Sequence, residues 1–489
     1  MSLYHKQFTL NQKWLLMGLT ACAFFLRLHR LDAQSLWFDE SFSAFISSSP
    51  LDAAIQSMLE EGLQHSPLYY LLLRPFAAGG FSEFSLRFLS VVLGVLAIPL
   101  IAQMGRIIAQ PQLGVLAAVL LTLNPFHVWY SQETRMYTMV MVATLGTMFF
   151  FGRNLQSPRW QNWLGLTLFT AIGLNTHYFA FFIPLVQFIF IVITVKQNYH
   201  LLRPWLATQL LAGLSLLPWI LIMIRWGNFY FGSAARRPPT SYDLLQTFWN
   251  FSLGYTVELT SYIFFMLVLF CLLFVLGVNQ ARWIANGLLL ILWGFVPPLV
   301  AFWMSFRLPM YVDRYISLSL PAFVLLIALG LYQLRSQRLL QIGVMALVLG
   351  AMLGGLWRVY YDLNVYNRAD WRSLGAYLEE QAGSGDVIAL WKYQTLLSLF
   401  FYYHGSLPLK PIITGPQVDL PKLSPQAGEH KVWLVLDYPN NSTHLAGHCQ
   451  DFSLPALNLP IVFQEWLDNN QHRLVEVKEF ACVRLQIYK

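Results

Sequence analysis

Residues 112–153 read QLGVLAAVLLTLNPFHVWYSQETRMYTMVMVATLGTMFFFGR, and this stretch decides the fold. Two apolar segments, 112–128 and 136–152, flank a polar turn that ends with Glu133 and Arg135. Each apolar segment approaches the ~20 residues that a membrane-spanning helix needs. The pattern predicts two helices that cross a bilayer, with the polar turn at the membrane surface.

The composition of the whole chain agrees with this interpretation. Of its 489 residues, 56% are hydrophobic and 11% are charged, whereas about 25% are charged in ordinary soluble proteins. The mean hydropathy is +0.51, so we expect a polytopic membrane protein. The formal charge of +7 comes from Lys and Arg at the ends of apolar segments, and no basic tract with interleaved aromatic residues indicates nucleic-acid binding.

The apolar segments predict about eleven transmembrane helices. They lie at 14–26, 84–105, 112–128, 136–152, 160–177, 178–195, 203–224, 260–278, 283–303, 315–333 and 339–358. The segment 66–80, SPLYYLLLRPFAAGG, is short and interrupted by Pro75. It is better explained as a horizontal or re-entrant helix than as a span.

The positive-inside rule orients these helices, because basic residues favour cytoplasmic connections. The basic connectors are Arg106, Arg153 with Arg159, Lys196 with Arg203, Arg282, and Arg335 with Arg338. All of them are cytoplasmic if the N-terminus is cytoplasmic and the C-terminus is extracytoplasmic. We therefore expect a multi-pass protein of the cell inner (plasma) membrane.

Two domains are expected. Residues 1–360 form the transmembrane domain, whose first extracytoplasmic loop, 32–83, contains juxtamembrane helices. From 361 to 489 the composition changes, with one amphipathic helix pattern and several strand patterns, including GDVIALW and KVWLVLD. This region is expected to be a soluble extracytoplasmic α/β domain, in which Cys449 and Cys482 can pair.

Polar side chains gather on the predicted outer face. Asp39 and Glu40 follow the first helix, and carboxylates beside a membrane are costly unless they are paired or solvated. The other outer candidates are His65, Glu133, Arg135, Tyr137, His177, Asp313 and Arg314. Each one alone has a structural explanation, such as a surface ion pair or a buried histidine. Four basic residues, Arg27, Arg30, Arg236 and Arg237, also lie on the outer side, where an anionic ligand would account for them.

This distribution favours an enzyme with a lipid-tailed substrate over a transporter. Transporters carry ionisable groups near the middle of the bilayer, and the charges here lie at the ends of the spans. A lipid-linked glycan transporter or flippase without chemistry stays the alternative.

The motifs resemble those of GT-C membrane glycosyltransferases that use polyprenyl-phosphate sugars. In chain order they are RLHRLDAQSLWFDES (27–41), HSPLYYLLL (65–73), LRFLSVVLGVL (86–96), NPFHVWYSQETRMYTM (124–139) and DRYISLSLPAFVLL (313–326). The resemblance is to the superfamily of protein O-mannosyltransferases and lipid A aminoarabinose transferases, and it covers the first 360 residues. It implies a GT-C fold and a hexosyl- or pentosyltransferase.

The resemblance also implies roles for the candidate residues. Asp39 would be the base that deprotonates the acceptor, supported or replaced by Glu40, and Glu133 would be the second acid. The groups that would bind the sugar, the phosphate or the acceptor are His65, Arg87, Arg135, Tyr137, His177, Asp313 and Arg314. The reaction would invert the anomeric carbon.

The implied partners are a polyprenyl-phosphate sugar donor, a lipid, glycan or protein acceptor, and membrane lipids. No cofactor is expected, although a divalent cation held by Asp39 and Glu133 is an alternative. The sequence HSP departs from the lysine and two prolines of the aminoarabinose transferases, which makes that substrate class a poorer match.

Overall fold

A computed structural model of the chain describes residues 7–60, 66–80, 82–226, 237–255, 260–362, 368–414, 417–420, 430–437 and 460–489. The chain forms two units that interleave in sequence. The helical unit comprises Met1–His29, Ser49–Phe76 and Arg87–Tyr360, and the sheet unit comprises Arg30–Ser48, Ala77–Leu86 and Tyr361–Lys489. Two segments of the predicted first loop are thus grouped with the C-terminal strands.

The helical unit is built from apolar helices. Its α-helices are Leu10–Leu28, Leu51–Glu60, Leu68–Ala77, Glu83–Ile108 (the first four residues of which are grouped with the sheet unit), Pro111–Leu123, Pro125–Ser131, Tyr137–Gln156, Trp160–Leu174, Phe182–Ile193, Val195–Leu214, Leu217–Trp226, Ser241–Leu253, Ser261–Ala281, Gly287–Met304, Leu320–Gln333 and Arg338–Tyr361. Short 3₁₀ helices lie at Tyr178–Phe181, Tyr315–Ser319 and Leu334–Ser336. Each of the eleven predicted apolar segments contains a helix.

By length and hydropathy, five of the described helices can cross a membrane, or up to seven if each of two bent pairs forms one span. The prediction of a helical, multi-spanning membrane protein is therefore confirmed, whereas the count of eleven spans stays a prediction. The short segment that contains Pro75 holds the ten-residue helix Leu68–Ala77, which is too short to span a bilayer.

The helix Leu320–Gln333 is buried over almost its whole length and packs closely on Ser261–Ala281. Small residues allow the approach. A Cβ atom at Gly277 would collide with the carbonyl oxygen of Leu326, and one at Gly330 would collide with that of Leu273. The two glycines thus let the two backbones touch, as small residues do in membrane helix pairs.

Replacement of Gly277 by Ala is expected to destabilise the helical unit, because the obstacle is a backbone atom that cannot rotate away. Overpacking of this kind costs about 1–3 kcal/mol. Thermal unfolding of the purified protein in detergent should show a lower midpoint. The matched control is Gly350→Ala, since a Cβ at Gly350 has no heavy atom within 4 Å. Equal midpoints for both variants would contradict the close packing.

The sheet unit contains one mixed six-stranded sheet. Its strands are β1 Val387–Lys392, β2 Leu409–Thr414, β3 Gln417–Val418, β4 Val432–Asp437, β5 Leu474–Phe480 and β6 Val483–Tyr488, in the order β3-β2-β1-β4-β6-β5. Strand β1 pairs in parallel with β2 and β4, and the pairs β2–β3, β4–β6 and β5–β6 are antiparallel. Its α-helices are Phe38–Ser48, Trp371–Gln381, Tyr393–Phe400 and Ile461–Asn469, with a 3₁₀ turn at Gln471–Arg473.

The sequence pattern explains these strands. The runs VIALW and VWLVL are continuously apolar and fill the buried central strands β1 and β4, as expected for strands covered on both faces. The last two predicted strands form the antiparallel pair β5–β6. Cys482 is engaged in a disulfide and Cys22 and Cys271 are free thiols, whereas Cys449, its predicted partner, lies outside the described residues.

Candidate active site

The predicted site residues are divided between the two units. The helical unit contains Arg87, Glu133, Arg135, Tyr137, His177, Asp313 and Arg314, and the sheet unit contains Asp39 and Glu40. His65 lies outside the described residues, as does Arg236.

The motif 124–139 begins at a break between two helices. Pro111–Leu123 ends at Asn124, and Pro125–Ser131 starts at an angle of 62° to it. The Asn124 side chain supports the break from both ends: its Oδ1 accepts from the His127 backbone N–H at 2.9 Å, and its Nδ2 donates to the Phe251 carbonyl at 2.8 Å. This geometry is typical of an Asn N-cap followed by proline.

Arg27, on the first helix Leu10–Leu28, makes hydrogen bonds to the same break between two helices. Its guanidinium is fully buried, with 0% exposure. The acceptors around it are Ser131 Oγ at 3.2 Å from Nε, the carbonyls of Ala23 (3.0 Å) and Thr122 (3.4 Å) at Nη1, and the Leu121 carbonyl (3.2 Å) and His127 Nδ1 (2.7 Å) at Nη2. Arginine has five N–H donors, so each one has an acceptor at this break. Arg27 therefore stabilises the helix break, and an anionic ligand is not needed to explain it.

Arg27→Lys is expected to lower the stability of the helical unit. Lysine has three donors where the site offers five acceptors, and each buried group left without a hydrogen bond costs about 1–3 kcal/mol. The thermal midpoint in detergent should fall clearly. Arg30→Lys is the control because Arg30 is exposed. An unchanged midpoint for Arg27→Lys would show that the five-donor arrangement does not stabilise the fold.

Two buried guanidiniums lie close to one histidine in the helical unit. Arg135 is 4% exposed and Arg314 is 9% exposed. His177 Nδ1 accepts from the Phe179 backbone N–H at 3.1 Å. The two buried guanidiniums are groups that suit an anion with several oxygens.

Aromatic rings surround these charges. Arg135 lies 5.9 Å from the ring centroid of Tyr137, and Arg314 lies 5.6 Å from that of Tyr315. Tyr315 is 5.0 Å from His177 and 6.3 Å from Tyr137, centroid to centroid. These contacts bring together Arg135, Tyr137, His177 and Arg314, four predicted site residues from three separate parts of the sequence.

Glu133 and Asp313, the two acids predicted to belong to the site in the helical unit, lie near the same residues. The charges of Glu133, Asp313 and Arg314 all act on Tyr130, whose hydroxyl is 2.5 Å from that of Tyr255. Asp313 accepts from Asn250 Nδ2 at 2.5 Å and from the Arg314 backbone N–H at 2.6 Å. Glu133 Oε1 accepts from the half-buried indole of Trp129 at 2.9 Å.

Arg87 is buried one helical turn before Ser90 on the helix Glu83–Ile108. Ser90 Oγ donates to the Arg135 carbonyl at 3.3 Å and lies 3.2 Å from the Tyr69 hydroxyl. Arg135 Nη1 in turn lies 3.5 Å from the Tyr70 hydroxyl. The motifs HSPLYY, LRFLS and SQETRMY therefore meet around Arg135.

The sheet unit carries the other two acids on one helix. Asp39 and Glu40 occupy the first turn of Phe38–Ser48, where the helix dipole stabilises negative charge. Asp39 is half-buried, and its backbone carbonyl accepts from Ser43 Oγ at 2.8 Å. Glu40 is fully buried and pairs with Arg368. The two neighbours therefore differ: Glu40 is held inside the unit, and Asp39 is partly accessible.

The described part of the chain contains no group of three or more His, Cys, Asp or Glu side chains arranged to hold a metal ion. Asp39 and Glu133, the pair considered for a divalent cation, belong to different units.

Sequence reasoning did not identify several residues that contribute to the site. Tyr315 directly follows Asp313-Arg314, so the triplet DRY is the signal that could have identified it. Trp129 lies four residues before Glu133, the helical spacing at which side chains meet. Arg368 has no local signal, because its partner Glu40 is 328 residues away in sequence. Arg27 was noted in the sequence, but its contact with His127, 100 residues away, has no local signal.

The chain combines a helical membrane unit that carries these motifs with a unit built on an α/β sheet. These features define its class: it has the GT-C fold. Residues 64–224 match the family model of dolichyl-phosphate-mannose-protein mannosyltransferases, and a comparison with curated proteins gives no match. The resemblance seen in the sequence, to polyprenyl-phosphate-dependent glycosyltransferases of the GT-C type, is confirmed.

Solved structures support this fold over nearly the whole chain. ArnT from Cupriavidus metallidurans in the apo state matches with a TM-score of 0.63, 12% identity and 98% coverage of both chains, and its complex with undecaprenyl phosphate matches with a TM-score of 0.62, the same identity and the same coverage. The apo oligosaccharyltransferase of Archaeoglobus fulgidus matches with a TM-score of 0.54 and 10% identity, over 88% of this chain and 70% of that one. Another structure of that oligosaccharyltransferase is a complex with Zn and sulfate. At these identities the likeness shows the fold.

Proposed function

We propose that this protein is an inverting glycosyltransferase that moves a sugar from a polyprenyl-phosphate donor to an acceptor at the extracytoplasmic face of the membrane. The observation that carries the proposal is a pair of buried arginines, Arg135 and Arg314, that the rings of Tyr137 and Tyr315 link to each other and to His177. A phosphate that leaves with its negative charge needs fixed cations in a site from which water is largely excluded. Arg135 and Arg314 supply two such cations.

The proposed reaction is a single displacement. Asp39 accepts the proton of the acceptor hydroxyl or amine, and the acceptor oxygen or nitrogen attacks the anomeric carbon. The bond from that carbon to the phosphate oxygen breaks on the opposite side, and the electron pair leaves with the lipid phosphate. Proton abstraction by a positioned base contributes about 10²–10⁴-fold.

The other residues bind and orient the substrates in this proposal. Arg135 and Arg314 bind the phosphate, Arg87 extends the basic surface, and Tyr137 and His177 face the sugar. Glu133 orients Trp129 through the hydrogen bond to its indole N–H. His65, which precedes the helix Leu68–Ala77, keeps its predicted role toward the sugar phosphate.

The chemistry of the cluster favours a lipid-linked phosphate as donor, and the acceptor is a lipid, glycan or protein. Each step of the proposed displacement uses the chain's own side chains. A divalent cation at Asp39 and Glu133 stays a hypothesis that chelation tests: a metal requirement predicts loss of transfer in EDTA and recovery with added Mn²⁺ or Mg²⁺.

Purified protein in detergent tests the proposed function against a flippase without chemistry. Micelles have no sealed compartment, so transport cannot occur but transfer can. With radiolabelled undecaprenyl-phosphate sugars and membrane extract as a source of acceptors, we expect release of undecaprenyl phosphate and labelled product. If the donors remain intact with every sugar and every extract, the enzyme proposal is wrong.

A further inference from the structure

The buried ion pair between Glu40 and Arg368 joins the acidic motif to the C-terminal region within the sheet unit. The Glu40 side chain is 0% exposed and that of Arg368 is 7% exposed. Glu40 Oε2 also accepts from the Trp37 backbone N–H at 3.4 Å. A buried carboxylate is costly unless it is paired and hydrogen-bonded, so Arg368 is what allows Glu40 to stay charged there.

The segments on either side of the acidic motif are held by the same region. The Tyr402 hydroxyl accepts from the Leu36 backbone N–H at 2.7 Å and donates to Glu83 Oε1 at 2.9 Å. Arg372 Nη2 lies 2.5 Å from the same Glu83 oxygen and 3.1 Å from the Asp32 carbonyl. Residues before and after Asp39 along the chain are therefore fixed to one framework.

Several charged groups of this unit have partners of their own, and one helix packed on Phe38–Ser48 carries no charge. The helix Tyr393–Phe400, which packs on Phe38–Ser48, carries no Asp, Glu, Lys, Arg or His. Arg372 and Glu83 pair with each other, and Arg30 lies over the Tyr361 ring at 5.3 Å. Glu40 is the immediate neighbour of Asp39 in sequence, and Arg368 is the ion-pair partner of Glu40.

We infer that Arg368 is a positioning residue for the proposed reaction: it pairs with Glu40 and fixes the first turn of Phe38–Ser48, the turn that carries the proposed base Asp39. This inference rests on the proposed function. It assigns different roles to the two adjacent acids, since Glu40 is the buried counter-ion and Asp39 is the base. It also makes the C-terminal α/β region necessary for the chemistry.

The test is the pH dependence of transfer, measured on full-length protein with three variants. Arg368→Met leaves Glu40 buried without its counter-ion, so Glu40 takes up a proton and the ion pair that fixes the first turn is lost. Transfer should then fall by up to about 10²-fold at every pH, because the base is misplaced, and the acidic limb of the pH–rate profile should stay where it is in the wild type. Glu40→Gln leaves the Arg368 charge unpaired at the turn that carries Asp39, so the limb should move down by about one pH unit.

The double variant Glu40→Gln/Arg368→Met removes both charges and should return the limb to its wild-type position. A purely structural role predicts loss of activity without a shift of the limb in Glu40→Gln, and therefore no return of the limb in the double variant. If Arg368→Met does not fold, Glu40→Gln and the double variant still decide the question. The matched control is Arg484→Met, which breaks the more exposed pair with Glu479 in the same sheet and should leave the limb unmoved.

An unmoved limb in Glu40→Gln, or a wild-type rate of transfer in folded Arg368→Met, would overturn the inference. Asp39→Asn, measured in parallel, separates this failure from failure of the proposed function. If Asp39→Asn is inactive while the limb stays fixed, only the role of Arg368 is wrong. If Asp39→Asn retains full transfer, the proposed base itself is wrong.

Discussion

Asp39→Asn is expected to reduce transfer by about 10²–10⁴-fold, the range for loss of a positioned general base. Asparagine keeps the size of the side chain and its place in the first turn of Phe38–Ser48, and it removes the group that accepts the proton. Binding of the donor should change little, because the phosphate is bound by arginines in this proposal. The measurement is the turnover of radiolabelled donor at saturating concentration.

The matched control is Asp52→Asn, which makes the same change at an exposed carboxylate in Leu51–Glu60, the next helix along the chain. It should transfer at the wild-type rate. Glu40→Gln is the more demanding comparison, because it neutralises the adjacent acid. If Glu40→Gln were inactive and Asp39→Asn active across the pH range, the roles proposed for the two acids would be reversed.

Arg135→Gln and Arg314→Gln are expected to impair the reaction through the leaving phosphate. Removal of one preorganised donor to a developing negative charge typically costs about 10²–10³-fold. Both variants should also bind undecaprenyl phosphate more weakly, because the phosphate loses a charge-assisted contact. The measurements are donor turnover and retention of radiolabelled undecaprenyl phosphate by the purified protein.

Arg237→Gln is the control for these two variants. Arg237 is about half exposed and pairs with Asp243 at 3.0 Å, and it should have no effect on either measurement. Lipid phosphate binding that survives in Arg135→Gln, in Arg314→Gln and in the double variant would contradict the role assigned to the cluster.

The sequence predicted the helices and strands well where a continuous apolar run determines the structure. Apolar runs such as 339–358 become helices because their backbone groups must be satisfied internally in a membrane. The runs VIALW and VWLVL become central strands because they are apolar on both faces. The motifs also named Arg135, Tyr137 and Arg314, and the predicted topology named His177; these four residues do gather in the helical unit.

The rest depends on contacts that have no local signature. The Phe38–Ser48 helix is grouped with the C-terminal strands and not with the spans that flank it, and no periodicity in the loop indicates that grouping. The Asp-Glu pair likewise looks equivalent in sequence. The contact with Arg368, 328 residues away, distinguishes the two acids.

The anomeric configuration of the product tests the central claim most directly. With a polyprenyl-phosphate sugar of defined configuration as donor, the isolated product can be assigned by NMR. A single displacement assisted by Asp39 predicts a product of opposite configuration, and about 10²–10⁴-fold less of it from Asp39→Asn. A product that retains the donor's configuration would require two displacements through a covalent intermediate, and would contradict the account.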